Sequence, residues 1–147
     1  HAVILVALQE WPNTFNMDIL AALDVVDEHG VVVVRPHPLD STRTDVIEHT
    51  FRTSGSHAQF RFEVGNAHAV EALFPYCQLC ITGYSTVGLD ANEHGVPCLF
   101  THPNAADGLR DYLERPDCHY ADTAEQMRPI IAAAVAAGRR ERPGSTS

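Results

Sequence analysis

Lysine is missing altogether from this chain of 147 residues: all ten basic residues are arginine, set against 19 acidic ones, for a formal charge of −9. A nonspecific nucleic-acid binder needs a basic face to neutralise phosphates, so the balance argues against nucleic acid as a partner. Long apolar runs are lacking as well. None approaches the roughly 20 residues of a membrane helix, and no secretory leader is visible, so the chain reads as soluble. No G-x-G-x-x-G follows the first apolar run, which argues against a dinucleotide-binding dehydrogenase. Gln9-Glu10-Trp11-Pro12 stands there instead and lacks the acidic cluster of a receiver domain, so a non-catalytic flavodoxin-like module is a secondary reading.

Cysteine is scarce, with four in all. Cys77 and Cys80 have C-x-x-C spacing, but a structural zinc site would show a second closely spaced ligand pair. Cys80 falls inside Leu79-Cys80-Ile81 and Cys98 inside Pro97-Cys98-Leu99-Phe100, as small buried strand residues do. The expectation is free thiols in a reducing cytoplasm, with no metal. Of the nine histidines, His1, His29, His49, His57, His68, His94 and His119 lack metal-ligand spacing and read as surface residues.

What is present is an alternation of short β-rich runs with segments of helical period, the pattern of repeated βα units. Expected strands are 2–8, 31–34, 59–63, 78–82, 97–101 and a small one at 118–120. Expected helices are 13–28, 44–53, 67–74, 85–94, 107–114 and 123–137. Val31 to Val34 is a continuous β-branched run of the kind buried on both faces of a parallel sheet. The fold class is therefore α/β: a doubly wound, Rossmann-like, mainly parallel sheet of five or six strands in three α/β/α layers, in the order 3-2-1-4-5-6. Residues 1–138 form the domain and 139–147 a flexible tail. The chain opens on a strand without Met, as an excised or truncated piece would. A sheet of this order places a ligand crevice at the carboxyl ends of strands one and four, where the order reverses.

Two polar motifs fall at that edge. After strand two, Arg35-Pro36-His37-Pro38 clamps one histidine between prolines that restrict the backbone on both sides, so its ring can present a hydrogen bond or positive charge to a phosphate. After strand four, Ser85 and Thr86 stand where a helix begins, and hydroxyls, free N–H groups and the helix dipole suit an anion there. Each has a plainer alternative, a rigid turn for His37 and an ordinary N-cap for Ser85. Asp90 lies one turn beyond Thr86 on the same side and suits a ribose. His102-Pro103 after strand five is a second-rank candidate at the same edge.

The stretch Asp90 to Pro97 resembles the E-x-x-x-x-G-x-P pattern of GT-B glycosyltransferases and of the related UDP-N-acetylglucosamine 2-epimerases, with Asp in place of Glu. The resemblance implies that Asp90 holds the ribose. Arg35-Pro36-His37-Pro38 followed by Ile81-Thr82-Gly83-Tyr84-Ser85-Thr86 is similar to bacterial surface-polysaccharide enzymes, including capsule transferases, sialyltransferase-like proteins and CDP-glycerol glycerophosphotransferases. It implies that Arg35, His37, Ser85, Thr86, Asp90 and His102 bind substrate and that His37 is catalytic, with Asp107 to Leu113 matching the loop and short helix after strand five. It further implies a nucleotide-sugar or CDP-alcohol donor, transfer without an obligatory metal or other cofactor, and a missing amino-terminal acceptor domain that supplies the base. The isolated chain would then be inactive, and the resemblance admits peripheral membrane association of the full enzyme. The epimerases show Gly-Gly followed by Gln-Glu-Glu where this chain has Ser85 to Asp90, which makes them the lesser alternative.

Overall fold

The valine run at 31–34 cannot be solvated on either face, and it lies second from one edge of a six-stranded parallel sheet. A computed structural model of the chain describes residues 2–9, 14–37, 44–63 and 70–140. The strands are β1 (Val3–Ala7), β2 (Val31–Arg35), β3 (Gln59–Phe62), β4 (Leu79–Thr82), β5 (Cys98–Phe100) and β6 (Cys118–Tyr120). Their order is β3-β2-β1-β4-β5-β6, all pairs parallel, as the sequence predicts. Register is set by the apolar residues of β1: Leu5 pairs with Val33 on one side and with Cys80 on the other.

The helices are α1 (Thr14–Ala22), α2 (Thr44–Arg52), α3 (Thr86–Glu93), α4 (Pro103–Gly108), α5 (Arg110–Leu113) and α6 (Ala124–Arg140). Alternation along each strand sends residues to opposite faces. Ile4, Val6, Val32, Ile81 and Leu99 join a core with Ile19 of α1, Leu23 just after it, Phe51 of α2, and Met127 and Ile131 of α6. Leu5, Val33, Cys80 and Phe100 face the other layer, where Phe74 and Ala91 cover them. Phe51 meets Phe60 and Phe62 edge-on at 5.7 and 5.9 Å, which anchors α2 to the outer strand.

Three expected helices are corrected. The one expected at 107–114 is two: His102 caps an earlier start at Pro103, Gly108 ends that turn, and Leu109 leaves helical geometry at φ −119° and ψ 30° before α5. The one expected at 67–74 is, over its described residues, a pair of 3-10 turns at Val70–Ala72 and Phe74–Tyr76, because Pro75 supplies no N–H to continue a helix. The one expected at 13–28 ends its α-helical part at Ala22 and closes as a 3-10 turn, Leu23–Val25; Asn13 lies outside the described residues.

The last helix extends beyond its expected end at 137, through Arg140; residues 141–147 lie outside the described residues. Gly138 is buried there because α6 crosses the start of β1 closely: a Cβ added to it would lie 2.6 Å from the Ala2 Cα. Glycine to alanine inside a helix ordinarily gains stability, about 1 kcal/mol. Gly138→Ala should do the reverse, since backbone would have to move, and lose roughly 1–3 kcal/mol in urea unfolding. A stabilised variant would show that the contact yields freely.

Candidate functional site

Gly83, just past the end of β4, joins three strand ends. Its carbonyl accepts from the N–H groups of Thr101 (3.2 Å) and His102 (3.1 Å), and the Thr101 N–H also reaches the Thr82 carbonyl at 3.0 Å, so the exits of β4 and β5 are tied together. On the other side the Gln9 side chain, past the end of β1, lies against Gly83: a Cβ there would be 2.8 Å from the Gln9 Cγ. The β1 exit is itself fixed by Asn16 of α1, buried, whose side chain donates to the Gln9 carbonyl at 3.0 Å and accepts the Gln9 N–H at 3.3 Å. On the far side of β1, the Leu8 N–H donates to the Arg35 carbonyl at 2.9 Å, which places Arg35 and, two residues on, the half-buried His37 at the same carboxyl edge. The exits of β2 and β4 flank β1, so they stand two strand spacings apart, about 10 Å. Pro38 lies outside the described residues.

Ser85 caps α3. Its backbone is extended (φ −69°, ψ 150°), its hydroxyl accepts from the Val87 N–H at 3.2 Å, and its carbonyl accepts from Gly88 at 3.1 Å. The hydroxyl proton can still be donated, so capping and anion binding are compatible. Gly88 lets the helix settle onto the sheet: a Cβ would meet the Phe100 ring at 2.7 Å and the Thr82 methyl at 2.9 Å. Gly88, Ala91 and Asn92 are buried, while Thr86, Asp90 and Glu93 form the outer face. Thr86 and Asp90 therefore share a side, and the Asp90 carbonyl accepts from the backbone of His94 and bonds its Nδ1 at 2.8 Å.

His102 caps α4 through Nδ1, which accepts the Asn104 N–H at 3.0 Å. That bond needs a lone pair on Nδ1, so in the neutral ring the proton sits on Nε2 and His102 is set up as a donor. Its ring lies 4.7 Å from that of Tyr84, an exposed aromatic on the exit of β4. An open hollow of about 260 Å³ is lined by Asp107 to Tyr112 alone and involves none of the expected binding residues.

The cysteines are structural. Cys80, Cys98 and Cys118 are register partners across β4, β5 and β6, all buried, and the Cys98 thiol donates to the Gly88 carbonyl at 2.8 Å. Burial pushes Cys77 up to about 11 and is the main cause of the rise to about 11 at Cys118. A hydrogen bond with Cys98, with burial added, holds Cys80 well above the usual thiol range. Protonated thiols of this kind are poor nucleophiles and poor metal ligands.

Sequence reasoning missed Asn92. It is 6% exposed, donates through Nδ2 to Asp117 (3.0 Å) and the Val96 carbonyl (3.5 Å), and accepts from Arg115 at 2.7 Å through Oδ1. Arg115 stacks over Tyr112 at 4.6 Å. These contacts fasten the helix of Thr86 and Asp90 to the loop before β6. Its only sequence signal is that Asn92 repeats, at a helical interval, the buried side of Gly88 and Ala91.

No protein-family model matches the chain, and no curated protein matches it significantly. Among solved structures it is similar to the wall teichoic acid polymerase TagF, at 19% identity and a TM-score of 0.48, over 99% of this chain and 38% of that one. It is also similar to the catalytic domain of cholesterol-alpha-glucosyltransferase from Helicobacter pylori, at 13% identity and a TM-score of 0.60, over 94% of both chains. No helix among the described residues is long and apolar enough to cross a membrane. The chain thus shares a fold with that glucosyltransferase domain, which in this chain is a doubly wound parallel α/β sheet.

Proposed function

We propose that this chain is the donor-binding half of a GT-B-like transferase, taking a nucleotide-sugar or CDP-alcohol and making a surface polysaccharide or related glycan. The observation that carries the reading is the position of Arg35 at the end of β2 and His37 just after it, Ser85 and Thr86 after β4, and His102 after β5, around the point where strand order reverses. The fold likeness to a glucosyltransferase catalytic domain supports it.

In this reading the donor diphosphate lies across the end of β1. His37 donates to it from one side; the Ser85 and Thr86 hydroxyls and the first N–H groups of α3 donate from the other. Asp90 accepts from the ribose hydroxyls, and His102 contributes its Nε2 proton. When the donor bond breaks, charge collects on the leaving phosphate, and these preset donors stabilise it where it forms. The acceptor and the catalytic base come from a second, amino-terminal domain, so the isolated chain binds but does not turn over. The full enzyme works in the cytoplasm, with peripheral contact to the membrane that carries its acceptor.

Thermal shift with UDP, CDP, CMP and GDP tests this, since a ligand that binds only the folded state raises the melting temperature by mass action. One nucleotide should stand out, and Asp90→Asn should weaken it about tenfold or more while weakening its 2′-deoxy analogue, which has lost one of the two hydroxyls, clearly less. A flat response to all four would overturn the reading. Equal losses for ribo and deoxy ligands would make Asp90 a helix residue only.

A further inference from the structure

Two buried polar atoms, Gln9 Oε1 and Thr82 Oγ1, find no hydrogen-bond partner among the described residues. Such atoms are rare because each forfeits its hydration without compensation. Here they occur together, at the ends of the adjacent strands β1 and β4, where the strand order reverses. Thr82 is fully buried and pairs with Ala7, two residues before Gln9. The Gln9 main chain is already committed to Asn16, so the orphaned amide does not hold the β1 exit in place. Gly83 leaves the room the amide occupies: an added Cβ would sit 2.8 Å from the Gln9 Cγ and 3.1 Å from its Oε1.

We infer that the Gln9 amide is a ligand-binding group, its carbonyl accepting a hydroxyl of the donor. The inference rests on the donor-binding reading and extends it to a residue of β1. An uncharged acceptor suits this place, because a carboxylate would repel the neighbouring diphosphate while an amide accepts from a hydroxyl without that cost. The hydroxyl belongs either to the ribose or to the transferred sugar or alcohol.

Gln9→Met keeps the length and lack of branching of the side chain and removes the orphan. It should raise the melting temperature of the unliganded protein by a few degrees, since a buried unsatisfied group is replaced by an apolar one, and weaken ligand binding about tenfold. Titrations with UDP and CDP, and with UDP-glucose and CDP-glycerol, separate the two sources. Loss for all ligands assigns the hydroxyl to the ribose, and loss confined to the last two assigns it to the transferred group. Gly83→Ala, which pushes the amide from its seat, should reproduce the affinity loss. A lower melting temperature in Gln9→Met would make the amide structural, held by an internal water, and would overturn the inference. So would unchanged affinity for a nucleotide that the wild type binds. Failure of the wild type to bind any of these four, or CMP or GDP, would bring down the donor-binding reading itself, and this inference with it.

Discussion

Asn92→Leu should cost about 2–3 kcal/mol of stability, equivalent to a fall of roughly 6–9 °C in melting temperature for a chain of this length. Leucine has the branching of asparagine and is somewhat larger, so no cavity opens and the loss is chiefly one of hydrogen bonds. Two partners are stranded, the Asp117 carboxylate and the Arg115 guanidinium, while the Val96 carbonyl keeps the Cys98 thiol as a donor at 3.4 Å. Arg115 is exposed and can return to water, which keeps its share small; Asp117 is only partly exposed, so it carries most of the cost. Arg115→Ala should accordingly lose only about 1 kcal/mol. Asn92→Asp should be as damaging as Asn92→Leu at neutral pH, with its carboxylate set against that of Asp117, and should recover when acid protonates the pair. Urea unfolding at pH 7 and pH 4 measures all three. A loss below 0.5 kcal/mol for Asn92→Leu would show that the network only decorates the surface.

Much of the architecture is legible in the sequence because it follows from burial alone. Val31 to Val34 can only be an inner strand, and right-handed crossovers then leave few sheet orders, of which 3-2-1-4-5-6 is observed. Even the three-residue strand Cys118–Tyr120 is visible, as a short run between turn residues. The errors lie where hydrogen bonds rather than apolar periodicity decide. The α4 start depends on His102 accepting from Asn104, and the 3-10 turns at 70–76 on the N–H that Pro75 lacks. The candidate site divides in the same way. Strand-end positions such as His37, Ser85 and His102 follow from topology, so their shared edge could be anticipated. Gln9 and Asn92 could not: Gln9 is informative in sequence only for the acidic group it is not, and its significance comes from Gly83, far along the chain. Asn92 acts through a residue 25 positions away. The sequence is also silent on tautomers. His102 reads as a base or a donor with equal ease until its Nδ1 is seen accepting from the α4 backbone.

His37→Ala should lower kcat by about 100- to 1,000-fold once this domain is joined to an acceptor-binding partner, the range found when one preset donor to a developing negative charge is removed. The ring stands two residues beyond β2, on a strand end fixed by the Leu8 to Arg35 hydrogen bond and followed by Pro36, which has no N–H and a locked φ. The group is thus held before the substrate arrives, and its removal forfeits transition-state stabilisation more than ground-state affinity, so KM should change far less than kcat. Because His37 lies past the strand and only half buried, the melting temperature should stay within about 1–2 °C. His37→Gln restores a neutral donor and should recover part of the rate. Unchanged kcat in His37→Ala, with an unchanged melting temperature, would reduce the residue to a turn. Full transfer by residues 1–147 alone would instead place the base within this chain. His102 would be the first residue to test, but its neutral ring carries the proton on Nε2 and spends Nδ1 on the α4 cap, so acting as a base would require releasing that cap. His102→Gln, with an amide oxygen able to accept from Asn104 and an amide nitrogen able to donate, should therefore keep most of the activity if His102 is a donor and none of it if His102 is the base.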